Sequence, residues 1–258
     1  MTRIAILECD TPIDPVKDRY GSYGDMFQRL LNTSLASLGN ANTTLELTKW
    51  DVVENSVFPD PEEFDALLLT GSSGSALAPV PMNVTDSVEH DAFANTPWIV
   101  ELTNYVQQTH QHKKPIIGIC FGHQIIARAL GARVGRSDAG WEVSVEEISM
   151  SDTGKQLFSR DTFSLHQMHR DIAYEIPAGC VNLGSTPICE VQGLYIPGRI
   201  LTVQGHPEYD GFVITSLLEA RYKTGIFDEG TFHSGMERAG KPHDGVLFGE
   251  AVWRFILS

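Results

Sequence analysis

The chain has 258 residues, 42% of them hydrophobic, and a formal net charge of −14. That length suffices for one α/β core, and the acidity excludes a polyanionic partner such as nucleic acid. No apolar run approaches the roughly 20 residues that span a bilayer. Residues 3–9 read as a buried first strand, ended by the turn signals Thr11-Pro12 and Asp14-Pro15. From Tyr23 the apolar positions Met26, Phe27, Leu30, Leu31, Leu35 and Leu38 keep helical spacing, and Gly39 stops the helix. Residues 44–50 and 65–70 read as the next strands, the latter running into the loop Gly71-Ser72-Ser73-Gly74-Ser75. Residues 76–95 are irregular and polar. Pro97 fits the first turn of a helix carrying Trp98, Ile99, Leu102, Tyr105 and Val106. The run Pro115-Ile116-Ile117 opens a further strand, followed by a helix over 122–130 that Gly131 ends.

From Glu142 the pattern changes. Short strand-like pieces follow at 143–149, 180–185, 190–196 and 200–203, with helical patterns at 211–222 and 246–257. Strands alternating with helices in the first half predict a mainly parallel sheet covered on both faces. The second half adds antiparallel strands. There is no repeat, low-complexity segment or linker, so the expectation is a single domain over 1–258 with a C-terminal extension from about residue 225. The four cysteines, Cys9, Cys120, Cys180 and Cys189, are sparse. The apolar start Ile4-Ala5-Ile6-Leu7 is too short for a signal core and meets Glu8 at once. Free thiols, a cytoplasmic location and no membrane association are therefore expected. The chain has no C-x-x-C and no H-E-x-x-H, so no metal site is expected.

The chemistry concentrates around Gly118-Ile119-Cys120-Phe121-Gly122-His123-Gln124. This is G-x-C-x-G between a strand and a helix. The related G-x-S-x-G puts a nucleophile on a sharp turn, with the next backbone N–H turned toward it. Alone, the motif is equally a buried core cysteine. A second motif, Gln204-Gly205-His206-Pro207-Glu208, supplies a base and an acid. Pro207 forbids helix and favours an extended chain, in which residues i and i+2 point the same way. Glu208 then orients one imidazole nitrogen, and the other serves Cys120. A lone His-Pro-Glu would read as a surface turn; the pair of motifs reads as a Cys-His-Glu triad for acyl transfer. Glycine-flanked N–H groups after the third strand face the elbow in this reading, so Ser72 and Phe121 are the candidate oxyanion donors. A phosphate loop there would need a following G-K-[ST], which is missing. The polar segment His166-Gln167-Met168-His169-Arg170-Asp171 reads as a solvated loop with no metal-ligand pattern.

In these two motifs the chain resembles the class I glutamine amidotransferases. The resemblance runs over roughly residues 3–222, and its stretch from Gly118 to Arg136 looks closest to the stand-alone members, among them plant γ-glutamyl peptidases and fungal amidotransferase-like proteins. It implies a three-layer α/β/α sandwich with a mainly parallel central sheet and extra antiparallel strands. It implies Cys120 as nucleophile, His206 as base, Glu208 as its orienting acid, and backbone N–H groups of Ser72 and Phe121 as the oxyanion hole. Gly71 and Gln124 resemble residues that hold the glutamyl group. The family's pocket-lining His segment stands eight residues before a proline. His166 and His169 compete for it, and His169 is eight before Pro177, so Met168, His169, Arg170 and Asp171 become the substrate-contacting positions. Three departures concern the substrate. Arg170 replaces glycine or glutamine, Ser72-Ser73 replaces Gly-Pro, and residues 76–95 form a longer insertion. A cation there suits a carboxylate on a substrate longer than glutamine. A related family with a cysteine elbow has His directly after the Cys; here Phe121 follows, which sets it aside.

The expected function is cysteine-dependent hydrolysis of a γ-glutamyl amide through a glutamyl thioester, with no cofactor. The expected substrate is glutamine or a glutathione-like conjugate. Two alternatives stay open: a glutaminase subunit supplying ammonia to a separate synthase chain, and a non-catalytic binding protein on the same fold.

Overall fold

The computed structural model describes residues 1–39, 43–72 and 90–258. Most of the insertion and the loop beyond Ser72 lie outside the described residues. The chain opens with β1 (Thr2–Glu8), and the Asp14-Pro15 pair begins a short helix, α1 (Asp14–Tyr20), rather than a turn. Proline is tolerated in a first helical turn, where its missing N–H leaves no bond unmade. The periodic run forms α2 (Tyr23–Ser37), with a reciprocal capping box between Ser22 and Asp25. Then come β2 (Leu45–Asp51), β3 (Ala66–Leu69), α3 (Pro97–Gln111), β4 (Ile116–Ile119) and α4 (Phe121–Ala129). The second half holds β5 (Val134–Arg136), β6 (Glu142–Met150), α5 (Asp152–Phe158), β7 (Thr162–His169) and β8 (Asp171–Ala173). It closes with β9 (Val181–Asn182), β10 (Gly184–Ser185), β11 (Leu194–Ile196), β12 (Ile200–Val203), α6 (Gly211–Lys223), α7 (Glu229–Arg238) and α8 (Gly245–Ile256).

The main sheet has the order β2-β1-β3-β4-β12-β11-β9. Its first five strands are parallel, and β11 and β9 are antiparallel additions at one edge. Side chains alternate across the sheet. Ile4 and Ile6 of β1 join a core cluster with Leu31 of α2 and Trp253 of α8; Ala5 and Leu7 join another with Leu102 of α3 and Ile125 of α4. The result is a mainly parallel sheet covered on both faces by helices. A second sheet, β10-β6-β7, adds Ile148, Phe163 and Leu165 to the α2/α8 side.

A further expectation is overturned. Residues 166–169 are not a solvated loop but the end of β7, paired in register with β6 (His169 opposite Glu142, His166 opposite Val145) and buried. Their polar side chains are tolerated because partners from other elements meet them inside the protein. Among the described residues, no helix is long and apolar enough to cross a membrane.

Candidate active site

Strand β4 and helix α4 meet at Cys120 with almost no connecting chain. Its φ of 49° and ψ of −100° lie where a residue with a Cβ is strained. Tight packing makes the turn possible. A Cβ at Gly118 would lie 2.8 Å from the Gly122 backbone carbonyl, and one at Gly122 would lie 2.6 Å from the Leu69 carbonyl oxygen. Only glycine admits this approach of backbone to backbone. The Cys120 N–H donates to the Val203 carbonyl at 2.9 Å, which ties the elbow to β12. The thiol sits at the N-terminal end of α4, where helix N–H groups lack intrahelical partners and the dipole is positive. The Phe121 N–H is the first of these.

His206 follows β12. Its N–H donates to the His166 carbonyl at 2.7 Å, an isolated antiparallel bridge to β7. Its Nδ1–H donates to Glu208 Oε1 at 2.8 Å. The two side chains meet through a turn at Pro207-Glu208 rather than along an extended strand. The imidazole also lies flat on the Tyr209 ring, with centroids 4.0 Å apart and planes 8° apart. The side chains of His206 and Glu208 are both buried. Burial by itself pushes the imidazole down, but the Glu208 charge and the contact with Cys120 outweigh it and raise His206 to about 10. With Nδ1 committed to Glu208, Nε2 is the nitrogen left to face the sulfur. Gly71 closes the site from β3: a Cβ there would stand 2.6 Å from His206 Cε1 and 3.6 Å from the Cys120 Cβ. Ser72 follows, its hydroxyl donating to Asp10 at 3.3 Å.

The other cysteines differ. Burial pushes the thiols of Cys9 and Cys189 far up and that of Cys180 to about 11. All four are free.

The remaining sequence candidates are distributed unevenly. Gln124 Nε2 donates to the Asp171 carbonyl at 2.7 Å and to Gln204 Oε1 at 3.1 Å. Met168 packs with Tyr209 and Val213. His169 is committed inward: Nδ1–H donates to the Asp171 carbonyl at 3.2 Å and Nε2 pairs with Glu142 Oε2 at 2.8 Å. The Asp171 carboxylate pairs with Arg136 at 3.1 Å. Arg170 is half-buried, and its Nε donates to the Ser137 carbonyl at 3.4 Å. Sequence reasoning passed over Gln204, Tyr209 and the carbonyl of His166, all of which touch Cys120 or His206. For Gln204 and Tyr209 the one visible signal is adjacency to the His206-Pro207-Glu208 segment; the carbonyl of His166 has none, because it meets His206 only in the folded chain.

Among the described residues, one group has the chemistry of a metal centre: ligand atoms of Glu142, His169 and Cys189 lie within 4.8 Å of one another. Its members are already engaged within the protein. Glu142 accepts from Thr186 and from Gln192 Nε2, besides pairing with His169, and Cys189 Sγ donates to the Val191 carbonyl. Burial would raise the Glu142 carboxyl, but His169 and these hydrogen bonds outweigh it and hold it low. The group reads as a buried polar cluster that the protein's own side chains and carbonyls satisfy.

The family model Glutamine amidotransferase class-I matches residues 23–213. A glutamine amidotransferase-like protein of Schizosaccharomyces pombe is 32% identical, over 99% of this chain and 98% of its own. γ-Glutamyl peptidase 2 of Arabidopsis thaliana is 28% identical, over 88% of this chain and 84% of its own. The crystal structure of a glutamine amidotransferase from Thermotoga maritima superposes with a TM-score of 0.70 at 18% identity, covering 100% of this chain and 99% of that one.

Proposed function

The chain belongs to the class I glutamine amidotransferase family, and on that premise we propose that it hydrolyses a γ-glutamyl amide bond, using Cys120, His206 and Glu208. The observation that carries this reading is the strained Cys120 at the N-terminus of α4, beside a buried His206 held by Glu208. Cys120 attacks the δ-carbonyl of the glutamyl group. The tetrahedral oxyanion is met by the backbone N–H groups of Phe121 and Ser72. His206 delivers a proton to the departing amine, a thioester remains, and water activated by His206 releases glutamate. Glu208 keeps the imidazole in the tautomer and orientation that both steps need.

The same proposal extends to the substrate. Gly71, Gln124, Met168, His169, Arg170 and Asp171 form the region around the glutamyl group. Arg170 binds a carboxylate beyond the scissile bond, which a glutathione-like compound carries and glutamine lacks. The hydrogen bond to Ser137 uses Nε, and a carboxylate is gripped by the terminal nitrogens of the guanidinium. The name of the Arabidopsis relative supports a peptide substrate.

Steady-state kinetics of the purified protein on glutamine and on γ-glutamyl peptides tests this. The peptide is expected to be the better substrate, Cys120→Ala inactive, and Glu208→Gln slowed at least about tenfold in kcat. Arg170→Gln should reduce kcat/KM for the peptide more than for glutamine. Faster hydrolysis of glutamine than of any peptide would favour a subunit that supplies ammonia to a separate synthase.

A further inference from the structure

The hydrogen bonds beneath the nucleophile have a fixed direction. Gln124 Nε2 lies 2.7 Å from the Asp171 carbonyl oxygen, which can only accept, so this end of the Gln124 amide is the NH2 group. The same NH2 lies 3.1 Å from Gln204, so that end of the Gln204 amide is the oxygen. The other end of Gln204 is therefore NH2, and it stands 3.4 Å from Cys120 Sγ. Gln204 is fully buried, and its own N–H is anchored on the Gln192 carbonyl at 2.9 Å. The amide cannot turn over without setting donor against donor inside the protein.

We propose that Gln204 is a catalytic hydrogen-bond donor to the Cys120 sulfur, and that Gln124 is the residue that positions it. This rests on the reading of Cys120 as the nucleophile. A donor at sulfur gains little from a neutral thiol and much more from an anionic one. Negative charge appears on sulfur twice. It is there before attack, when the S–H proton has passed to His206. It returns in thioester hydrolysis: the water oxygen bonds to the δ-carbon, its proton goes to His206, and the tetrahedral adduct collapses. The C–S bond then breaks with its electron pair on Sγ. A pre-aimed N–H in a buried site serves both moments without reorganisation.

Iodoacetamide alkylation of the full chain tests the bond, because it reads the thiolate without requiring recognition of a γ-glutamyl group. The ionisable groups within electrostatic reach of Cys120 include His206, Cys189, Tyr209 and Arg221, and Gln204→Met changes none of them. Mass spectrometry follows modification of Cys120 from pH 5 to 9, with half-buried Cys180 as an internal control. Gln204→Met, matched in length but without a donor, should alkylate about tenfold more slowly at neutral pH, the worth of one hydrogen bond to a charged group. Its pH profile should move upward while Cys180 is unaffected. Gln124→Met should shift the profile in the same direction by less. A folded Gln204→Met with the parent profile overturns the proposal. If that variant does not fold, an unchanged profile in Gln124→Met overturns it. A shifted profile in a protein that hydrolyses no γ-glutamyl amide supports the hydrogen bond and removes the reaction class. Full hydrolysis with no shift does the reverse.

Discussion

A methyl group at Gly71 would meet His206 Cε1 at 2.6 Å, closer than real Cβ contacts come. The clash is with the imidazole edge and not with the sheet, so the damage belongs to the site. Gly71→Ala should lower kcat by about a hundredfold, since a displacement of about 1 Å at a reacting group costs that much, with little change in denaturation midpoint. Cys120 gives the complementary test. Its strained backbone costs about 1–3 kcal/mol, and Ala keeps that strain because it keeps the Cβ. Gly removes it, at an entropy cost of about 0.5–1 kcal/mol. Both variants should be inactive, but Cys120→Gly should unfold at a higher denaturant concentration than Cys120→Ala. Equal midpoints would mean that the elbow stores no strain.

Among the elements, α8 is the one whose importance the sequence understates. Residues 225–258 read as an extension, yet Trp253 and Phe248 of α8 are among the largest fully buried side chains, and they pack with α2 and the sheet. The Trp253 indole N–H donates to the Leu31 carbonyl at 2.8 Å, and Ser34 of α2 bridges the carbonyls of Leu30 and Val246. Trp253→Ala should cost about 3–5 kcal/mol, read as a fall in denaturation midpoint; a loss under about 1 kcal/mol would mean that α8 is only loosely attached. Strand β7 shows the opposite difficulty. Leu165-His166-Gln167-Met168-His169 has no apolar alternation, so periodicity cannot find it. Its polar side chains become buriable only through partners distant in sequence, such as Glu142 for His169 and Gln192 for Gln167.

At the scale of the whole molecule, buried histidines shape the pH dependence in opposite directions. Burial, reinforced by neighbouring histidines, pushes His123 and His166 down to about 3. The unfolded chain protonates them near pH 6.5. Between about pH 6.5 and 3 the unfolded state therefore holds more protons, and stability is lost as pH falls, by up to about 2.7 kcal/mol per pH unit from the two together. His206 is raised, to about 10. From about pH 6.5 upward the native state holds a proton that the unfolded chain has released, and stability is lost as pH rises through that window. Denaturant midpoints at pH 4.5, 6.5 and 9 (conditions chosen to bracket these windows, ~2 units apart) should be highest at the middle value. His206→Gln should flatten the alkaline side alone, and a slope there unchanged from the parent would remove His206 as its source.

By itself the sequence determined the parallel half of the sheet and the helices α2, α3 and α4, and it singled out Cys120, His206 and Glu208 as the candidate residues. Those signals are local: apolar periodicity, a glycine-flanked elbow and a proline that blocks helix. Only the tertiary structure decided what surrounds them. Gln204 under the sulfur, Tyr209 against the imidazole and the inward commitment of His169 depend on side chains that meet across elements, and no local pattern records which amide will face which sulfur. Burial of polar groups is a property of their partners, and partners far apart in the chain become neighbours only when it folds.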